Sequence, residues 1–125
     1  EGLRLTPYVD TVGKITVGVG RNLSDRGITE AQAYAWLDED IALAVAELTA
    51  RFPWFADLDE ARRRVLIDMH VNMGIQRLKG FKRMLAALAA RNYWRAADEM
   101  LASKWATQVH GRAERLARMM RTGRV

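Results

Sequence analysis

The sequence predicts an α+β fold, mostly helical, with a small β-hairpin or sheet lobe at the N-terminus and a helical lobe after it. Three observations carry this. Residues 1–20, EGLRLTPYVDTVGKITVGVG, alternate apolar with small or polar residues around a glycine, the pattern of a hairpin. From about residue 29 onward, apolar residues recur at helical spacing between recognisable caps. No internal repeat, low-complexity segment or flexible linker interrupts the chain, so its 125 residues form one structural unit that can hold two lobes.

In the hairpin, Ile15, Val17 and Val19 alternate with Thr16, Gly18 and Gly20, which predicts one apolar face and one nearly bare face open to a ligand. Gly13 is the natural turn centre. A three- or five-residue loop around it pairs position 10 with position 16 and sets the Asp10 carboxylate beside the Thr16 hydroxyl; a two-residue loop sends them to opposite faces. Asp-x-x-Gly is also an ordinary turn signal. Gly18-Val19-Gly20 is no dinucleotide fingerprint, because no third glycine and no βαβ unit accompany it.

Helical signals follow. Thr29 with Gln32 forms a capping box, and Trp36, Leu37, Ile41, Ala44, Val45 and Leu48 recur to about Ala50, predicting a connecting helix over about 29–50 between lobes of about 1–28 and 51–125. After Phe52-Pro53-Trp54, Asp59 caps a helix bearing Ala61, Val65, Leu66, Met69 and Met73, closed by Gly74. Further helices fit about 81–91, 93–105 and 111–121, with Trp94, Trp105 and the methionines as core packing.

Composition narrows the function classes. The chain has no Cys, hence neither a disulfide framework nor a thiol nucleophile, and His70 and His110 are too few for a zinc site. No apolar run approaches the ~18 residues that span a bilayer. The formal net charge is +5, with Arg112, Arg115, Arg118, Arg121 and Arg124 at every third position opposite Leu116 and Met120. Such a stripe fits solubility and complementarity to a helix C-terminus, attraction to an anionic cell envelope, or nucleic-acid binding.

Glu1-Gly-Leu-Arg-Leu5, Tyr8, Asp10, Gly13, Thr16 and Gly18-Val19-Gly20 together resemble the bacteriophage lysozyme (endolysin) family of T-even type. The likeness continues through Gly27-Ile28-Thr29, Asp40, Ala61-Arg62-Arg63-Arg64, Asn72-Met73-Gly74, Gly80-Phe81, Ser103-Lys104-Trp105, Arg112-Ala113 and Arg121-Thr122-Gly123. It implies a lysozyme-like fold with two lobes flanking a cleft, and a muramidase cutting the β-1,4 bond between N-acetylmuramic acid and N-acetylglucosamine. Carried over by position, Glu1 is the general acid, Asp10 the second carboxylate, and Thr16 the hydroxyl that holds the attacking water. Asn22, Val71 and Asn72 fall at sugar-binding positions, Val71 where an aromatic often lines the cleft; Asn72 can equally be a local cap. The T-even likeness implies inversion, which requires carboxyl groups about 6.5–9.5 Å apart.

The resemblance also implies that residues precede Glu1; were Glu1 the terminus, its α-ammonium would favour the ionised carboxylate, the wrong direction for an acid. Arg21 stands where relatives commonly have His and is expected to pair with Asp40. No cofactor or metal is implied. The expected partners are peptidoglycan strands, an anionic envelope and a holin that admits a monomeric enzyme from the infected cytoplasm to the wall, with no nucleic acid. The alternative is a non-catalytic lysozyme-like, or basic helical nucleic-acid- or envelope-binding, module.

Overall fold

A computed structural model of the chain describes residues 2–125. Its N-terminal segment is a three-stranded antiparallel sheet in the order β1 (Arg4–Val9), β2 (Ile15–Gly18), β3 (Arg21–Asn22). Thr11, Val12 and Gly13 form the first turn: the Asp10 N–H donates to Lys14 O at 2.9 Å and the Gly13 N–H to Asp10 O at 3.1 Å. Gly13 takes φ +85°, which only glycine adopts without strain. Tyr8 pairs with Thr16 and Val9 with Ile15, so the expected pairing of position 10 with position 16 is corrected: Asp10 lies opposite Lys14. Asp10 and Thr16 nevertheless share a face, as diagonal neighbours, because side chains two residues apart point the same way.

The two faces are used in the opposite sense to the expectation. Thr16 is 3% exposed, whereas Ile15 is 49% and Val19 71% exposed. The expected apolar face is therefore the open one. Buried hydrophobic side chains begin only at Ala44, so the sheet has no apolar layer of its own among the described residues.

A short helix, α1 (Leu23–Arg26), follows the sheet and leads to α2 (Glu30–Arg51). Both halves of the predicted capping box form: the Gln32 N–H donates to Thr29 Oγ1 at 3.1 Å and the Thr29 N–H to Gln32 Oε1 at 2.9 Å. The chain divides into two compact units, 1–39 and 40–125, with the boundary inside α2. Of the apolar stripe predicted on this helix only Ala44 and Leu48 are buried; Trp36, Leu37, Ile41 and Val45 remain 37–48% exposed.

The second unit holds the core. After a single 3₁₀ turn at Phe55–Asp57 come α3 (Glu60–Lys79), α4 (Lys82–Ala89), α5 (Tyr93–Leu101), α6 (Lys104–Val109) and α7 (Gly111–Thr122). Helix α7 packs on α5, α3 and α6, and α4 packs on α5. Leu48, Val65, Leu66, Met69, Leu78, Met84, Leu88, Met100 and Met120 are fully buried among them. Asp59 caps α3 as predicted, accepting the Arg62 N–H at 3.1 Å. Gly74, at φ 81° and ψ 165°, breaks α3 where the sequence predicted an end, and the chain resumes for one more turn.

Two expectations are corrected here. The helix predicted over 93–105 is two, because Ser103 accepts the Ala106 N–H at 3.2 Å and starts α6 afresh. Trp94 is no core residue: it is 66% exposed, with the Arg121 guanidinium 5.1 Å from its ring centre. Trp105, 4% exposed, packs as expected.

Candidate active site

The site is built at the first hairpin turn. Asp10 Oδ1 accepts two backbone N–H groups, from Lys14 at 2.8 Å and Val12 at 3.0 Å, as the tight turn folds the chain back over the carboxylate. Its second oxygen, Oδ2, lies 3.5 Å from Thr16 Oγ1. These contacts hold the carboxyl below its ordinary value. The Lys14 N–H is the largest cause, partial desolvation opposes it, and the Val12 N–H, the Thr16 hydroxyl and the Lys14 charge add to the lowering. Asp10 is thus an ionised carboxylate with one oxygen fixed by the backbone and the other left for chemistry.

Thr16 has one hydroxyl proton, and its shorter contact is to Lys14 O, at 3.1 Å. That proton is shared between Lys14 O and Asp10 Oδ2, and the hydroxyl lone pairs are left to accept a hydrogen bond beside Asp10 Oδ2. A water donating one proton to each oxygen would be held there.

The surrounding turn is braced from β3 and α1. Asn22 caps α1 by accepting the Asp25 N–H at 3.0 Å and donates to Asp25 Oδ2 at 3.0 Å. Asp25 in turn binds Lys14 Nζ at 3.1 Å, and Ser24 Oγ accepts the Ile15 N–H at 2.8 Å. Asn22 therefore has a local bracing role, with one amide hydrogen left over. Little in the sequence hints at this brace, since Ser24 and Asp25 look like ordinary loop polarity.

Arg21 does not meet Asp40. Its guanidinium donates to Gly27 O at 3.2 Å and Gln32 Oε1 at 3.0 Å. Asp40 lies eight residues beyond Gln32 on α2, about 12 Å along the axis.

In the second unit, Val71 is half-buried against the core and Asn72 is exposed on α3, its side chain in no hydrogen bond among the described residues. No helix N-terminus claims the Asn72 amide. Nearby on α3, the buried His70 Nε2 lies 2.8 Å from Glu47 Oε1. Glu1 lies outside the described residues. Among these, no cluster of three or more His, Asp or Glu could hold a metal, and no helix is long and apolar enough to cross a membrane.

An ionised turn carboxylate and a neighbouring hydroxyl on a small sheet, followed by a helical core, define a lysozyme-like α+β fold. The phage lysozyme family matches residues 1–121, and the chain belongs to it. It is 24% identical over 152 aligned positions to a "Probable T4-type lysozyme 1" of Dictyostelium discoideum, covering 98% of this chain and 89% of the relative. The "Probable T4-type lysozyme 2" of the same organism is 22% identical with the same coverage. "Pre-baseplate central spike protein Gp5" of Enterobacteria phage T4 is 26% identical over 98% of this chain, which spans 26% of that longer protein. The chain is accordingly a glycoside hydrolase, a lysozyme whose substrate is peptidoglycan.

Proposed function

We propose that the chain is an inverting muramidase of the endolysin type, hydrolysing the β-1,4 bond between N-acetylmuramic acid and N-acetylglucosamine. Glu1 gives its proton to the departing glycosidic oxygen. Water, held between Asp10 Oδ2 and Thr16 Oγ1, attacks the anomeric carbon from the opposite face and passes a proton to Asp10. The observation that carries this reading is the split use of the Asp10 carboxylate, with Oδ1 bound by two N–H groups and Oδ2 left 3.5 Å from Thr16 Oγ1. A base must be ionised at working pH, and this environment favours that form.

Asn22, Val71 and Asn72 line the sugar path in this reading. The enzyme works as a monomer, made in the cytoplasm of an infected bacterium and admitted to the wall by a holin, without cofactor or metal. The exposed Arg115, Arg118 and Arg124 attract it to the anionic envelope. Arg112 and Arg121 of the same stripe are engaged with Asp68, at 3.7 Å, and Asp98, at 2.7 Å, which weakens a nucleic-acid reading of the helix.

Digestion of purified peptidoglycan, with the first-formed reducing end followed by proton NMR, tests the mechanism. The α anomer is expected first, and Glu1→Gln and Asp10→Asn are each expected to lose on the order of 10²- to 10⁴-fold in rate. A β anomer formed first would replace inversion by a covalent route, and a fully active Asp10→Asn enzyme would remove Asp10 from the reaction.

A further inference from the structure

Lys14 touches both members of the candidate hydrolytic pair. Its backbone N–H is one of the two donors on Asp10 Oδ1, at 2.8 Å, and its carbonyl oxygen lies 3.1 Å from the Thr16 hydroxyl. Lys14 stands opposite Asp10 across the turn and two residues before Thr16, so all three side chains leave the same face of the hairpin. The Lys14 ammonium rides on a flexible four-carbon stem. From a residue whose own N–H already binds the Asp10 carboxylate, that stem reaches Asp10 Oδ2, the oxygen left for water.

The ammonium is held elsewhere. Its ion-pair partner among the described residues is Asp25 of α1, with Lys14 Nζ 3.1 Å from Asp25 Oδ1. The Asp25 carboxylate is itself anchored: Oδ2 accepts the Asn22 amide at 3.0 Å, and the Asp25 N–H donates to Asn22 Oδ1 at 3.0 Å. The arginines of this unit are placed apart from the pair. Arg4 lies over the Tyr8 ring at 4.6 Å, Arg21 donates to Gly27 O and Gln32 Oε1, and Arg26 is in the last turn of α1. Lys14 is thus the charge that bears on Asp10. With side chains 40% and 54% exposed, the Lys14–Asp25 pair adds little to stability. What it decides is where the ammonium stands.

We infer that Asp25 is a positioning residue of the hydrolytic site: by holding the Lys14 ammonium against α1 it keeps that cation off Asp10 Oδ2, so the oxygen stays open to water. The inference rests on the reading of Asp10 as the base. With Asp25 neutralised, the ammonium turns to the neighbouring carboxylate, Oδ2 carries an ion pair in place of water, and turnover falls. A pair this exposed shifts the partition of the ammonium by up to about fivefold, which sets the size of the effect.

Asp25→Asn, Lys14→Gln and the double variant test it, each read in two ways. In peptidoglycan digestion, Asp25→Asn is expected to lose about three- to fivefold in kcat with KM little changed. Adding Lys14→Gln is expected to restore kcat to within about twofold of wild type, because the competing cation is gone. Loss of a merely structural brace is not repaired by a second substitution. A double variant no faster than Asp25→Asn, or an Asp25→Asn enzyme as fast as wild type, overturns the inference.

The second readout needs no turnover: the Asp10 carboxyl carbon is followed by NMR through an acid titration. Asp25→Asn is expected to lower the Asp10 midpoint, because the cation moves onto the carboxylate, and the double variant to raise it above that of wild type. A midpoint unmoved or raised by Asp25→Asn overturns the inference, a rise marking a turn that has loosened its N–H contacts. Midpoints that move as expected in a protein that cleaves no glycan would leave the restraint on Lys14 standing and remove Asp10 as a base. Cleavage that needs Asp10 but ignores Asp25 would do the reverse.

Discussion

At the scale of single residues, the chemistry rests on how little of Asp10 is left unsatisfied. Two N–H groups fix one oxygen, so the other is presented in a defined direction at low conformational cost. Asp10→Asn is expected to lower kcat on the order of 10²- to 10⁴-fold with KM little changed, measured by turbidity of a peptidoglycan suspension. The folded carboxyl lies below its ordinary value, so the base stays ionised into more acid solution and the acid limb of kcat/KM falls below the usual carboxylate range. Thr16→Val removes one of the lowering contacts and should move that limb upward; an unmoved limb would separate Thr16 from Asp10. The same depression has a stability consequence. Its contribution is present above the unfolded carboxyl value and is lost as pH falls through the folded one, so the stability gap between wild type and Asp10→Asn should close on acidification in denaturant titrations.

At the scale of elements, caps and breaks decide where helices stop. Ser103 accepts the Ala106 N–H and donates to Met100 O at 2.6 Å, tying the end of α5 to the start of α6. Ser103→Ala is expected to cost about 1 kcal/mol in urea unfolding. Gly74 has open space where a Cβ would stand but a φ of +81°, so Gly74→Ala should cost about 1–2 kcal/mol through backbone strain alone. Arg62 is the clamp that the sequence did not disclose. It donates to Met120 O at 2.6 Å and Arg121 O at 2.9 Å, and it stacks 3.7 Å from the Tyr93 ring centre, closing the C-terminus of α7. Within Ala61-Arg62-Arg63-Arg64 nothing local distinguishes Arg62 from its neighbours. Its role comes from partners 58 and 59 positions away.

At the scale of the whole molecule, the apolar core belongs to the second unit and the candidate base to the first. Leu66→Ala, at a fully buried position, should therefore cost about 2–5 kcal/mol and lower the melting temperature, while surviving folded protein keeps its chemistry at Asp10. Arg115 and Arg118 are exposed on α7, opposite the buried Leu116 and Met120, and Arg124 is exposed just beyond its end. Replacing all three by Gln is expected to slow clearing of intact envelopes at low salt. The deficit should vanish near 1 M salt, where the screening length falls to about 3 Å. Equal clearing at both salts would assign the stripe to solubility.

The sequence by itself determined the α+β class, the capping box at Thr29, the cap at Asp59 and the interruption at Gly74. These follow from local signals: turn glycines, alternation, helical spacing and side chains that satisfy helix ends within three residues. Tertiary structure alone decided the rest. The hairpin register depends on which backbone pairs close the turn, and either odd-length loop keeps Asp10 and Thr16 on one face. The exposure of Ile15, Trp36 and Trp94, the Arg21 contacts with Gly27 and Gln32, and the Lys14 contact with Asp25 depend on what other elements bring near. An apolar or charged residue announces its chemistry in sequence, but burial and partnership are properties of distant pairs, which spacing along the chain does not encode.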